Sequence, residues 1–270
     1  MNDRRITRSC QVIHVEGGVS RVGCVELIGE EPLLIRIEGK PYAVVMRTPG
    51  EEIFHAAGFC LGEGIADAPD DFTTLGYCKD LDPNVVEVRL KPERLVKIRD
   101  ILERRTFFSQ TSCGICGKEM MKDLQQDLTP AENGLEVERD RIFDCVARLS
   151  ESQTHYQTTR GSHAALLLDG RLETVAFAED VGRHNALDKA IGKAFLEGKL
   201  GGARILVLSS RVSFEMVQKA ARARLPMIIS DSRPTALAAD MARGLNMTLA
   251  FPSDESDLVI VCGEHRIVSR

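Results

Sequence analysis

The chain has 270 residues, of which 43% are hydrophobic and 28% charged, with a formal net charge of −5. That is the composition of a folded globular protein with ample core, and the acidic balance, with a pI near 5.8, argues against a nucleic-acid partner. No run approaches the roughly 18 apolar residues of a membrane-spanning helix, and Met1-Asn2-Asp3-Arg4-Arg5 leads into no apolar signal segment. A cytoplasmic protein with no membrane partner is expected.

Residues 33–47 predict a hairpin, two apolar runs flanking Glu38-Gly39-Lys40-Pro41. Pro49 and Gly50 end its second strand. A helix from about Glu51 to Leu61 follows, with Ile53, Phe54, Ala57 and Leu61 at helical spacing and acidic residues in its first turn. Short strands at Thr73–Tyr77 and Val85–Leu90 precede a helix opening at Pro92. Beyond it, Cys113 to Gly117 reads as a loop between two helical segments. Residues 129–134 are polar and turn-rich, the composition of a flexible link.

From Ser162 the pattern alternates. A hairpin (164–169 and 172–178) leads to a helix from Asn185, a strand at 205–208 and a helix from Phe214 capped by Ser213. A strand at 227–229, a helix from Thr235 ended by Gly244, and a last strand at 247–251 complete the run. Repeated strand–helix units predict an α/β fold, a parallel or mixed sheet with helices on its faces.

Ser112-Cys113-Gly114-Ile115-Cys116-Gly117-Lys118 concentrates the reactive chemistry. The glycines leave both sulfurs uncrowded, and the Lys118 charge favours the nucleophilic thiolate. The other six of the eight cysteines (Cys10, Cys24, Cys60, Cys78, Cys145, Cys262) are scattered, and most of them read as buried free thiols. With no second C-x-x-C, no metal site is expected, although Cys78 and Cys145 are conceivable distant ligands. A thioredoxin-like redox pair would sit near the start of a βαβ pattern. This pair does not, so thiol redox activity is the lesser reading.

The second informative segment runs from Glu179 to Lys189, where seven polar or ionisable groups surround a glycine between strand and helix. Ligands of open α/β sheets gather at such strand ends, and helix N-termini there suit phosphate or carboxylate. A solvated turn with an ordinary cap explains the composition equally well. Ser209-Ser210-Arg211-Val212-Ser213 and Ser230-Asp231-Ser232-Arg233-Pro234-Thr235 are two hydroxyl-rich strand-to-helix turns, each with an arginine. Together they suit a phosphorylated ligand; neither is a recognised phosphate motif. His163 reads as a satisfied core histidine. A nucleobase deaminase would need a glutamate two positions after it, where Ala165 stands, so deaminase chemistry is not expected.

These segments resemble the FdhD family of formate dehydrogenase accessory sulfurtransferases. The resemblance rests on Met46 to Gly50, Gly58 to Ile65, Thr111 to Lys118, His163 to Ala165, Glu179 to Lys189 and Ser213 to Ala221, in family order. It implies a sulfur carrier loaded by a cysteine desulfurase. That carrier delivers sulfur to the molybdenum bis(guanine dinucleotide) cofactor before the cofactor enters formate dehydrogenase. Cys113 is then the persulfide-bearing residue and Cys116 its partner thiol. The implied fold is a cytidine-deaminase-like mixed sheet flanked by helices, formed by residues 1–68 and 151–270. A smaller lobe, 69–150, carries the C-x-x-C loop, and the protein is a homodimer.

Two departures from the family pattern stand out. Thr158-Thr159-Arg160-Gly161-Ser162 replaces a Thr-Gly-Gly sequence. Phe251-Pro252-Ser253-Asp254-Glu255-Ser256 replaces a basic segment that contacts the guanine dinucleotide. The Asp254 and Glu255 carboxylates, beside the Phe251 ring, are suited to accept from the two donors of guanine. A solvated acidic loop explains the same composition; on the family resemblance GDP is an expected mimic of the ligand, its diphosphate toward Arg183 and His184 or toward the turns at 209–213 and 230–235, which hold Ser210, Arg211 and Ser232. A cofactor-binding chaperone that moves no sulfur would use the same residues without Cys113.

Overall fold

The computed structural model describes residues 6–77, 83–104, 128–254 and 256–269. Cys78, Cys113, Cys116 and Glu255 lie outside the described residues. Two ten-residue strands open the chain, β1 (Thr7–Glu16) and β2 (Val19–Ile28), paired antiparallel. Gly17 and Gly18, both at positive φ, supply the two-residue turn whose twist matches a hairpin. The sequence patterning did not reveal this hairpin, because its apolar residues fall on both faces and no alternation survives.

A four-stranded sheet follows, in the order β4 (Lys40–Arg47), β3 (Glu31–Ile37), β6 (Val85–Leu90), β5 (Phe72–Tyr77). The expected hairpin at 33–47 is β3–β4, turned by Glu38 and Gly39 at positive φ. Leu33, Ile35, Val86 and Val88 bury one face of the sheet against Ala56, Phe59 and Cys60 of α1 (Glu52–Gly62) and Ile98 of α2 (Pro92–Arg104). This sheet joins strands on both sides of the expected boundary at 68/69.

The larger sheet has six strands in the order β13 (Leu258–Cys262), β12 (Thr248–Pro252), β11 (Met227–Ser230), β10 (Ala203–Leu208), β8 (His163–Asp169), β9 (Thr174–Asp180). β10, β11 and β12 run parallel, with antiparallel strands outside them. One face is covered by α5 (Arg183–Leu196), α6 (Phe214–Arg222) and α7 (Ala236–Gly244). Against the other face, Ile142, Cys145 and Leu149 of α3 (Arg139–Ser152) meet Leu166, Leu168, Ile205, Val207 and Ile229. The mixed α/β class expected from the alternation is the one observed. A short helix α4 (Thr154–Thr159) leads into β8, and β7 (Val137–Glu138) pairs parallel with β14 (Ile267–Val268).

Residues 129–134 are not a loose link. The Ala131 amide donates to the Leu245 carbonyl (2.8 Å), Asn246 Nδ2 donates to the Ala131 carbonyl (2.7 Å), and Arg266 Nη2 donates to the Glu132 carbonyl (3.0 Å). Their partners lie over a hundred positions away in the chain, beyond the reach of any local pattern. No described helix is long and apolar enough to cross a membrane.

The two sheets are held together by α1 lying directly on α5. A Cβ built on Gly58 would stand 1.9 Å from the Asp188 carbonyl oxygen, and one on Gly192 would stand 1.8 Å from that of Phe54. Only a residue without a side chain fits at either point. Gly192→Ala is therefore expected to destabilise the protein by about 1–3 kcal/mol or more in urea unfolding, since backbone rather than a side chain must yield. Gly201→Ala, where the added Cβ meets nothing within 4 Å, is expected to change stability by less than about 0.5 kcal/mol. Equal effects of the two substitutions would contradict the close helix contact.

Candidate functional site

Because β8 runs antiparallel to β10, β9 antiparallel to β8, and β13 antiparallel to β12, the ends of β9, β10, β11 and β12 and the starts of β8 and β13 share one edge of the large sheet. Helices α5, α6 and α7 begin at this edge, so their N-termini face it. Such an edge collects anionic ligands by geometry alone. Neither Gly182 before α5 nor Ser213 before α6 caps its helix through a side chain. First-turn N–H groups are thereby left to serve a ligand. Ser213 is at the expected cap position but does not bond as a cap; α7 does receive one, from Thr235 Oγ1 to the Ala238 amide (3.2 Å).

Around these termini stand Arg183, His163, His184, Ser213 and Glu215. Arg183 has its Nε buried with no hydrogen-bond partner. His184 Nε2 lies 2.9 Å from Glu215 Oε2 and 3.2 Å from Ser213 Oγ. That contact holds the Glu215 carboxyl below the usual carboxylate range, against the opposing effect of partial burial. His163 is half-buried and registers against Asp180 across the β8–β9 ladder. Burial first, then the Arg183 charge, lowers its pKa, favouring a neutral ring at neutral pH. It is a member of the edge cluster and not the enclosed core residue its surroundings in the sequence suggested.

The hydroxyl-rich turns occupy the next two strand ends. The Ser209 hydroxyl accepts from the Ala164 amide (2.8 Å). The single Ser230 hydroxyl proton has the Ser210 carbonyl (2.8 Å) and the Ser232 carbonyl (2.6 Å) as acceptors, and its Oγ accepts from the Ser232 amide (3.0 Å), tying one turn to the other. Ser210 is buried, Ser232 half-buried and Arg211 exposed. At the end of β12, Phe251 is buried and pairs with Val259 of β13. Pro252, Ser253, Asp254 and Ser256 form the turn into β13, closed by the Ser253 amide on the Asp257 carbonyl (2.8 Å) and by Arg139 on the Ser256 carbonyl. The structure thus brings Arg183, His184, Ser210, Arg211, Ser232 and the 251–256 turn to one edge, Glu255 excepted as outside the described residues.

Beneath the edge lies a buried polar network that composition could not resolve. Asp180 is fully enclosed. Its Oδ2 pairs with Lys189 Nζ (2.7 Å) and accepts from the Thr48 amide (3.0 Å), and its Oδ1 accepts from the Gly182 amide and Asn185 Nδ2 (both 2.9 Å). Lys189 donates to the Thr48 carbonyl (2.8 Å), the Val181 amide to Thr48 Oγ1 (3.0 Å), and Asn185 Nδ2 also to the Met46 carbonyl (2.6 Å). Segments 46–50 and 179–189, both among the segments that carry the family resemblance, are thus one structural unit. Behind them, Lys219 of α6 grips both oxygens of Asp188 (2.7 and 2.9 Å), whose carboxyl burial pushes up to about 6.

The remaining described thiols divide by burial. Cys60, Cys145 and Cys262 are buried, and burial pushes all three up, Cys145 to about 11, leaving them as inert thiols. Cys10 is half-buried and Cys24 exposed, because the hairpin that carries them has no core. Among the described residues, no group of His, Cys, Asp and Glu is arranged to hold a metal.

Relatives in sequence and in structure agree with one another. Residues 28–268 match the model of the FdhD/NarQ family. The sulfur carrier protein FdhD of Streptomyces avermitilis is 36% identical over 279 aligned residues, covering 98% of this chain and 97% of that protein. The sulfur carrier protein FdhD of Anaeromyxobacter dehalogenans is 38% identical over 232 residues, 82% of this chain and 81% of the other. The crystal structure of a protein assigned as a formate dehydrogenase accessory protein, from Desulfotalea psychrophila, superposes with a TM-score of 0.76. It is 20% identical and the match covers 98% of this chain and all of that one, which establishes the shared fold.

The network contains one histidine that no sequence motif signalled. His55, on α1, is fully enclosed, and neither ring nitrogen has a hydrogen-bond partner. Burial first, then the charges of Lys189, Lys219 and Arg47, pushes its pKa well below 6.5, with Asn185 opposing weakly. The folded protein therefore keeps this ring neutral while the unfolded chain takes up a proton below about pH 6.5. Its contribution is complete above that pH and is lost as the pH falls toward the lower folded value. The stability of wild type relative to His55→Leu is expected to decline between pH 7 and pH 5, by at most about 1.4 kcal/mol per pH unit. A difference in unfolding free energy that stays constant over that range would contradict the neutral buried ring.

Proposed function

The chain belongs to the FdhD/NarQ family, and on that premise we propose that it is a cytoplasmic sulfur carrier serving formate dehydrogenase. Its nucleotide-bearing acceptor would sit on the polar edge of the large sheet. In this reading the Cys113 thiolate attacks the outer sulfur of a persulfide on a cysteine desulfurase. The donor's S–S bond breaks, its cysteine leaves as thiolate, and Cys113 retains the sulfur as a persulfide. Cys116 then attacks the inner sulfur of Cys113, expelling sulfide toward the molybdenum of the acceptor and leaving a Cys113–Cys116 disulfide. A thiol reductant resets the pair. An external thiol can replace Cys116 in the release step, so its loss is the milder lesion.

The acceptor, the molybdenum bis(guanine dinucleotide) cofactor, is a substrate of such a carrier and not a resident group. The observation that carries its placement is the unpartnered, buried Nε of Arg183 between two helix N-termini that lack side-chain caps. A diphosphate satisfies that donor and the free first-turn N–H groups together. Ser210, Arg211 and Ser232 continue the donor surface along the strand ends toward Phe251 and Asp254. There a carboxylate of Asp254 or Glu255 would accept from the guanine N1–H and 2-amino group.

Two measurements separate the parts of this reading. By calorimetry GDP is expected to bind at least about tenfold more tightly than ADP, since adenine offers neither guanine donor to a carboxylate, and Arg183→Ala should weaken both. Equal affinities for GDP and ADP would remove guanine recognition and leave sulfur transfer standing. Cys113→Ala is expected to abolish maturation of formate dehydrogenase without loss of folded protein. Incubation of wild type with a desulfurase and cysteine should add the mass of one sulfur atom to Cys113. Full maturation by Cys113→Ala would instead favour a chaperone that holds the cofactor without moving sulfur.

A further inference from the structure

Glu215 puts a carboxylate at the place where an anionic ligand is expected. It is the second residue of α6, in the first turn of a helix that has no side-chain cap. Its Oε2 lies 2.9 Å from His184 Nε2 of α5, and that nitrogen is 3.2 Å from Ser213 Oγ. The pair spans the two helix N-termini, so a phosphate held between them has this carboxylate as a neighbour. The Glu215 side chain is 66% exposed and does not brace the interior. The cations that act on it are His184, Lys219 and Arg183. His184 is engaged by Glu215 itself, and Lys219 by both oxygens of the buried Asp188 (2.7 and 2.9 Å). Arg183 is left, with its Nε buried and unpartnered. One arginine and the partial positive charge of two helix N-termini suit a weakly charged anion better than a polyphosphate.

Resting on the placement of the nucleotide-bearing acceptor at this edge, we propose that Glu215 is a specificity-determining residue. It selects a diphosphate esterified at both ends, as in a dinucleotide, over nucleotides that end in a free phosphate. An esterified phosphate carries about one negative charge, whereas a terminal phosphate carries about 1.5 to 2 at neutral pH. The second ester removes the charge that Glu215 opposes, and the charge that remains meets Arg183 and the first-turn N–H groups. Each free terminal phosphate instead sets like charge against the carboxylate, with His184 and Lys219 already engaged. Repulsion of this kind excludes a wrong ligand without strengthening the right one. A carrier of a guanine dinucleotide has use for it, since free guanine nucleotides present the same base.

The test is calorimetry on the full chain without magnesium, with the β-methyl ester of GDP, GDP and GTP as probes. Wild type is expected to bind the ester at least as tightly as GDP and about tenfold or more tightly than GTP. Glu215→Gln keeps an oxygen that accepts from His184 and loses the charge. In that variant GTP is expected to gain about tenfold, while the ester changes by less than about threefold. Wild type that binds GTP as tightly as the ester would overturn the proposal. So would a Glu215→Gln variant that leaves GTP unchanged, or one that shifts all three affinities alike, the mark of a structural role. Wild type that binds none of the three probes would overturn the placement of the nucleotide as well, whereas binding without preference among them would overturn the role of Glu215 alone.

Discussion

The contact between α1 and α5 over Gly58 and Gly192 is the constraint on which the rest of the molecule depends. Each helix belongs to a different sheet, and each glycine lets the other helix's backbone approach where a methyl group would collide with a carbonyl. At that separation the segment before α1 reaches the segment before α5, and Asp180 can receive the Thr48 amide while holding Lys189. Move the helices apart by the width of a side chain and the enclosed carboxylate keeps its charge while losing its donors. Buried charges tolerate enclosure only when paired and hydrogen-bonded, so helix packing and polar network are a single condition.

That network explains how the polar edge keeps its shape. Asp180 fixes the Gly182 amide and the Asn185 side chain, which sets where α5 begins and hence where Arg183 and His184 project. Lys219 on Asp188 fixes α6 against α5 by the same means, and with it Ser213 and Glu215. The edge carries both signs, with Arg183 and Arg211 beside Glu215, Asp231 and Asp254, so the net charge of −5 decides little about what this edge attracts.

Much was legible in the sequence because it was local. Apolar periodicity gave α1, α5, α6 and α7 to within a few residues, and the strands at 205–208 and 227–229 stand where short apolar runs bounded by turns placed them. The turn residues flanking each strand were enough to nominate Arg183, Ser210, Arg211 and Ser232, and residues 251–256 followed from family resemblance. Less legible was the hairpin at 7–28, whose two half-exposed faces leave no clean period, and helix α3, whose seat is a sheet face formed far along the chain. His163 resembles a core residue in sequence for the same reason, since its neighbour Arg183 arrives through the β8–β9 ladder and not through adjacency.

The sequence by itself determined the α/β class, the family, the C-x-x-C spacing of Cys113 and Cys116, and the hydroxyl-rich, arginine-bearing turns after two strands. These depend on composition, spacing and local turn chemistry, which the chain carries one residue at a time. Only the tertiary structure decided that the C-terminal ends of the parallel strands share one edge with the starts of β8 and β13, that 46–50 and 179–189 form one network, and that His55 is enclosed without a partner. It also decided that Arg183 Nε lacks a partner while Lys189 has two. Each of those facts depends on which groups meet across more than a hundred positions of chain. That is set by strand order and the close approach of two glycines, quantities that no local pattern of residues encodes.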